Sequence, residues 1–208
     1  MTTAVKPMNQ KIRIAALRVF FLFALSAVLF TRSGWAENTV ATEIFFELFE
    51  TLGLLMVVAG VLGRFWAILY IGGHKNQQVM QAGPYSICRH PLYLFSTIGA
   101  LGFGLMLGSL ILAAVLGGGI FLILSMTAKR EEAFLRAEFG TQYDDYAARV
   151  PRIWPKPSLF ETPRTAVFDA QTLRGNLSDA FVFLALIPLA EFVEFLHEFL
   201  SFPTVPIW

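Results

Sequence analysis

The 208-residue sequence holds a single cysteine, Cys88, and only three histidines. One cysteine excludes an intrachain disulfide, and the two counts together leave too few ligands for any zinc-finger spacing. Charge is also scarce. Asp, Glu, Lys and Arg make up 15% of the chain, against about 25% in an ordinary soluble domain. Neither sign dominates: 16 basic and 15 acidic residues leave a net charge of +1, so electrostatics make no case for a nucleic-acid partner. A dinucleotide-binding glycine fingerprint is missing as well. Gly102, Gly104 and Gly108 fall in an apolar segment with no strand before them, and the Gly104–Gly108 spacing reads as close helix packing. No repeat or low-complexity tract is present. These absences exclude a disordered chain, a disulfide scaffold and a large aqueous multidomain enzyme.

Apolar residues are abundant, at 56% with mean hydropathy +0.61. Pro91–Ala128 runs for 38 residues without a charged side chain, and about 20 apolar residues span a bilayer. The expected fold is therefore all-α, a polytopic transmembrane bundle. Four core spans are expected, at about Ile14–Phe30, Thr51–Ile71, Leu92–Leu107 and Leu110–Thr127, with Gly108-Ser109 turning the last two into a hairpin. A probable fifth helix covers about Ala180–Leu200. The first segment reads better as a retained helix than as a signal peptide ending near Ala36. Three regions follow. Residues 1–50 hold the first helix and an outer loop, 51–157 a membrane core, and 158–208 a linker and an added C-terminal helix.

Lys6, Lys11, Arg13 and Arg18 precede or open the first span, Lys75 and Arg89 follow the second, and eight basic residues lie between Lys129 and Arg174. The positive-inside rule then predicts an integral membrane protein with its N-terminus, the 72–91 loop and the 129–177 segment on the cytoplasmic side. A spanning fifth helix would leave the C-terminus outside. Its carboxylates Glu191, Glu194 and Glu198 make insertion costly, so lying in the interface is the competing arrangement.

Polar residues gather at two places. The 72–91 loop reads Gly83-Pro84-Tyr85 and then Arg89-His90-Pro91-Leu92-Tyr93. Pro91 suits the first position of a helix, which sets Arg89 and His90 at a helix N-terminus whose free backbone N–H groups attract an anion. The second cluster follows the fourth span: Glu131, Glu132, Phe139-Gly140, Tyr143, Tyr146, Arg149 and Arg152. It reads as that helix leaving the membrane and stopping at Gly140. A short hairpin makes the clusters neighbours. Taken singly, each is also what an interfacial helix end or a basic membrane-surface tail would show.

The order and spacing of these motifs resemble the integral-membrane methyltransferases of the isoprenylcysteine carboxyl methyltransferase group. Phospholipid methyltransferases look similar in the same region. The resemblance covers about Gly53–Pro157. It implies S-adenosylmethionine as methyl donor, with Tyr85, Arg89, His90, Pro91, Tyr93, Glu131, Tyr143 and Tyr146 around it. It implies Glu131, Glu132 and Arg152 as catalytic residues acting on a lipophilic small-molecule or lipid acceptor drawn from the membrane. Phe95 stands where the family often has glycine, and some 50 residues extend beyond the compact core.

Methyl transfer from a sulfonium needs positioning more than acid–base machinery; an amine acceptor would also need a base, which a glutamate can supply. Two other classes compete. A sterol-reductase-type enzyme carries a similar motif and uses NADPH, and a non-enzymatic membrane subunit could retain the fold. Arg64 either snorkels or faces the donor site. Cys88 reads as a small loop residue, and Glu43, Glu47 and Glu50 as a solvated helix face. Glu194-x-x-His197 has a di-iron spacing but no second copy, so no metal site is expected. The stripe of Glu191, Glu194 and Glu198 would pair with Arg64 or with a partner's basic residues. The oligomeric state is left open.

Overall fold

A computed structural model describes residues 10–33, 39–72, 78–165, 168–200 and 205–207. The elements are α1 (Gln10–Phe30), β1 (Thr31–Ser33), α2 (Val40–Ile71), α3 (Pro84–Ile87), α4 (Pro91–Met106), α5 (Leu110–Phe139), α6 (Thr141–Arg149), a 3-10 turn at Pro157–Leu159, α7 (Ala170–Leu200) and β2 (Val205–Ile207). All five expected apolar segments are helical. Strand content among the described residues is one short parallel pair, with Thr31, Arg32 and Ser33 opposite Val205, Pro206 and Ile207.

Two of these helices, α2 and α5, are long and apolar enough to cross a membrane. At 1.5 Å per residue, α2 is roughly 48 Å long, well beyond a hydrocarbon core of about 30 Å. The 16 residues of α4 reach only about 24 Å, so the expectation of four or five spans is met by length and composition for two helices. The helical part of the second segment starts eleven residues earlier than expected, at Val40. Glu43 and Glu47 are exposed on it and Glu50 is partly buried.

Small residues set the close packing of α2 on α4. A Cβ added to Gly60 would strike the backbone of Phe95 and Gly99, and one added to Gly53 would strike that of Met106. Gly104 packs on the backbone of Ala113, within the α4–α5 hairpin. Gly108 is different. It lies outside the helix at φ 64° and forms the turn itself, so the expected pairing of Gly104 with Gly108 on one helix face is corrected. Ser109 completes the turn by accepting a 3.1 Å hydrogen bond from the Leu112 amide, an N-cap.

The apolar core lies where α1, α2, α4, α5 and α7 meet, around Val28, Val57, Phe103, Met106, Leu116, Ala190 and Val193. Helix α7 begins at Ala170, ten residues before the expected start. It runs antiparallel to α2, because Leu173 and Arg174 adjoin Phe65 and Leu69 while Glu191 interacts with Glu50. The β1–β2 pair then ties the end of α1 to the C-terminal strand, and Ser33 Oγ donates to the Gly108 carbonyl at 2.9 Å. Helix α7 therefore runs along the bundle rather than across its end. The hairpin turn and both strands share one end; the polar clusters share the other. The side chains of Glu194, His197 and Glu198, with Lys75 and His74, lie outside what the structure describes.

The polar region 156–177 reads in the sequence as a linker, but its first part, 156–162, is not a free one. It is instead bonded down onto the loop before α4. Lys156 N donates to Ile87 O at 2.9 Å, Gly83 N to Glu161 O at 2.7 Å, and Glu161 N to Ser86 Oγ at 2.9 Å. Tyr70 and Thr162 hydroxyls are 2.7 Å apart. Prolines at 151, 155, 157 and 163 keep this stretch from forming an α-helix, and apart from the 3-10 turn at Pro157–Leu159 its amides and carbonyls bond sideways.

Candidate functional site

The site is assembled on the start of α4. Gly83 takes φ 61° and Pro84 opens the single turn of α3. The chain straightens at Cys88 and re-enters helix with His90 as N-cap and Pro91 at the first helical position, as its sequence predicts. Residues 151 and 152 run alongside. Arg89 N donates to Pro151 O at 2.9 Å, and His90 N to Arg152 O at 3.2 Å. The amides of Arg89 and His90 are therefore taken by backbone carbonyls.

The anion held at this helix end is instead internal. Glu132, from the charged extension of α5 beyond its apolar part, aims Oε1 at three cationic or basic groups. His90 Nε2 is 2.9 Å away, Arg152 Nε 3.1 Å and Arg89 Nη1 3.4 Å. A carboxylate only accepts, so His90 donates from Nε2. Arg152 also donates from Nη2 to the Ser125 carbonyl at 3.2 Å. Burial alone would raise the Glu132 pKa. The His90 hydrogen bond and the charges of Arg89 and Arg152 outweigh it and hold the carboxyl below the ordinary range.

Glu131, one residue earlier, reaches α4 as well, one turn further along it. Its Oε2 accepts from the Tyr93 hydroxyl at 2.7 Å. The Tyr93 ring lies parallel to the His90 ring, with centroids 5.3 Å apart. The two carboxylates thus bracket one flat histidine–tyrosine face.

Behind this face the tyrosines pack. Tyr146 donates to the Tyr85 carbonyl at 2.8 Å and meets Tyr143 edge-on. Tyr143 and Tyr146 are buried with Val79 and Val150. Burial pushes all three tyrosine hydroxyls up from their ordinary pKa, Tyr85 and Tyr146 furthest, so they remain neutral donors. Four buried polar atoms lack a close hydrogen-bond partner among the described residues: Tyr85 Oη, Ser125 Oγ, Tyr143 Oη and Arg89 Nε, although the Arg89 guanidinium faces the Tyr143 hydroxyl and bonds to it weakly. Three of them lie beside the two glutamates, since Tyr85 interacts with Glu131 and Tyr143 with Glu132 and Arg89. Buried donors of this kind are rare in folded proteins and mark a place for a ligand or ordered water.

All the residues singled out from the sequence, Tyr85 through Tyr93, Glu131, Glu132, Tyr143, Tyr146 and Arg152, come together. Arg149 does not join them; it points away to Gln81, 2.7 Å from its Oε1. Arg64 reaches α4 and donates to Ser96. Cys88 is 1% exposed and donates to the Ile153 carbonyl at 3.1 Å; burial pushes its thiol up to about 11. That makes it an inert structural thiol. Sequence reasoning missed Ser125 and the 156–162 segment. Only the spacing of the prolines hinted at the latter.

Residues 48–142 match the phospholipid methyltransferase family. The cobalt-zinc-cadmium resistance protein CzcN of Cupriavidus metallidurans is 36% identical over 186 residues, covering 89% of this chain and 83% of that protein. The nickel-cobalt-cadmium resistance protein NccN of Alcaligenes xylosoxydans xylosoxydans is 33% identical over 192 residues, 92% of this chain and 87% of that one. Mouse protein-S-isoprenylcysteine O-methyltransferase is 31% identical over 134 residues, 57% of this chain and 47% of that protein. No solved structure matches the chain.

Proposed function

The chain belongs to the superfamily of isoprenylcysteine carboxyl and phospholipid methyltransferases, and on that premise we propose that it moves a methyl group from S-adenosylmethionine to a lipophilic acceptor at the cytoplasmic face of a membrane. The observation that carries this reading is the group of buried polar side chains, Tyr85, Tyr143 and Arg89, left without close hydrogen-bond partners beside the two glutamates. The polar atoms fit a ligand rich in carboxylate, amine and hydroxyl groups. Tyr85, Tyr143 and Arg89 would hold the donor's polar end, and the parallel rings of His90 and Tyr93 offer a flat face for its base.

S-adenosylmethionine supplies a methyl already electrophilic on its sulfonium, so the chain has chiefly to position it. Glu131 is the acid–base candidate for an acceptor that must lose a proton. Glu132 is a weaker base, because its cationic neighbours stabilise the ionised form. We assign Glu132 and Arg152 a positioning role. Together they fasten residues 151–152 to the N-terminus of α4 and so hold His90 in place.

Incubation of the purified protein with methyl-labelled donor and a total membrane lipid extract should yield a labelled lipid. No labelled product would refute the assignment. S-adenosylhomocysteine should bind at micromolar levels and weaken in His90→Ala; binding of NADPH in its place would favour the reductase reading. The relatives matching nine-tenths of the chain carry metal-resistance names, which supports placing this methyl transfer in metal resistance. A deletion strain sensitive to cobalt, zinc or cadmium should be rescued by the wild type and not by His90→Ala. Rescue by both would favour a non-enzymatic role.

A further inference from the structure

Helix α7 lies outside the stretch that matches the family, and where its first turns meet the end of α2 they leave a cavity of about 460 Å³. Phe65, Leu69, Ala170 and Leu173 line it, and Arg174 is its single charged residue. The size is that of a small-molecule site. The lining leaves almost nothing for a hydrated ion to bond.

Arg174 has no ion pair or hydrogen bond among the described residues. Its guanidinium stays charged at every relevant pH, and its planar fork matches a phosphate. The level in the membrane is also informative. Helix α2 is roughly 18 Å longer than a hydrocarbon core, and Phe65 and Leu69 lie in its last two turns. That end carries the 83–90 loop and the bonded 156–162 segment, so it lies at a water boundary. An open apolar groove ending in an arginine with no partner among the described residues, at that depth, matches an amphiphile with a hydrocarbon chain and an anionic head.

We propose that the α2–α7 groove binds one anionic phospholipid of the bilayer, an acyl chain lying against Phe65, Leu69 and Leu173 and the phosphate on Arg174. This site is separate from the cluster around Glu132 and stands whether or not that cluster performs methyl transfer. The added C-terminal helix would thereby tie the core to anionic membrane.

The test uses the full chain, delipidated in detergent and offered equal amounts of phosphatidylglycerol and phosphatidylcholine with identical acyl chains. Native mass spectrometry reads the bound lipid. Wild type should retain phosphatidylglycerol with about a fivefold preference, the factor that one interfacial cation contributes toward anionic lipid. Arg174→Gln should bring the ratio to unity, whereas Arg164→Gln, a nearby exposed cation, should leave it unchanged. Leu173→Trp should fill the groove and lose both lipids. No preference in the wild type, or a preference surviving Arg174→Gln, would overturn the proposal. Displacement by glycerol phosphate as readily as by lipid would also overturn it, because the chain would then contribute nothing. Should Leu173→Trp fail to fold, the two arginine variants decide.

Discussion

Replacing Glu132 by glutamine tests whether the cluster at the end of α4 acts as one unit. The substitution keeps the shape and one acceptor oxygen but removes the charge. Hydrogen bonds to charged groups contribute about 1.5–3 kcal/mol, neutral ones about 1 kcal/mol. Two bonds lose that assistance, those from His90 at 2.9 Å and Arg152 at 3.1 Å. The Arg89 contact at 3.4 Å adds less. Breaking a fully buried pair costs about 3–5 kcal/mol, and the Arg152 side chain is 28% exposed, so we expect about 2–3 kcal/mol in total. For a chain this long that lowers Tm by about 5–10 °C, measurable by differential scanning fluorimetry in detergent. Arg152→Ala in the Glu132→Gln background should cost much less than in wild type, a coupling of about 1 kcal/mol or more. The sign with pH follows from the lowered carboxyl. Its contribution is complete above the ordinary value of 4.5 and is lost as pH falls through the lower folded value. The Tm gap between wild type and Glu132→Gln should therefore hold steady above about pH 4.5 and close below it. Additive single effects, or a gap unchanged in acid, would refute the cluster as drawn.

Three further outcomes follow from the same geometry. Cys88 should resist maleimide in the native protein at pH 7.5 and react once unfolded in SDS, as read by intact mass; rapid native labelling would contradict its burial. Gly60→Val should destabilise the protein by about 3 kcal/mol or more, seen as aggregation on size-exclusion chromatography, because the added side chain meets the α4 backbone. With α7 running along α2 and β2 paired to β1, topology reporters fused after Trp208 and inserted at Glu138 should report opposite membrane faces. Reports from the same face would return α7 to the interface.

Much of the site was legible because it depends on local chemistry. Pro91 demanded a helix start, Gly140 a helix end, and Gly108-Ser109 a reversal. Pro91 and Gly108-Ser109 make the hairpin, and α5 outruns α4 far enough to carry Glu131 and Glu132 to the end where Arg89 and His90 sit. The role of each charge was not legible. A run such as Glu131-Glu132 does not reveal that neighbouring carboxylates take different partners, one a tyrosine and the other three basic groups. The 156–162 segment was misread for a related reason. Its polar, proline-broken composition is that of a linker, and only its backbone bonds to Ile87, Gly83 and Ser86 make it part of the site.

By itself the sequence determined the class and the ends. With so few charges, the long apolar runs must leave water, and every polar group they lack must collect at the boundary. That followed from hydration energy, which depends on composition and not on arrangement. The tertiary structure decided which charges meet. It assigned the anion at the α4 terminus to Glu132, buried the Tyr85 hydroxyl beside Glu131 without a partner among the described residues, and laid α7 along α2 so that Arg174 borders an apolar groove. Those pairings join residues 20 to more than 100 positions apart. They depend on helix register and crossing, which arise only when the faces pack.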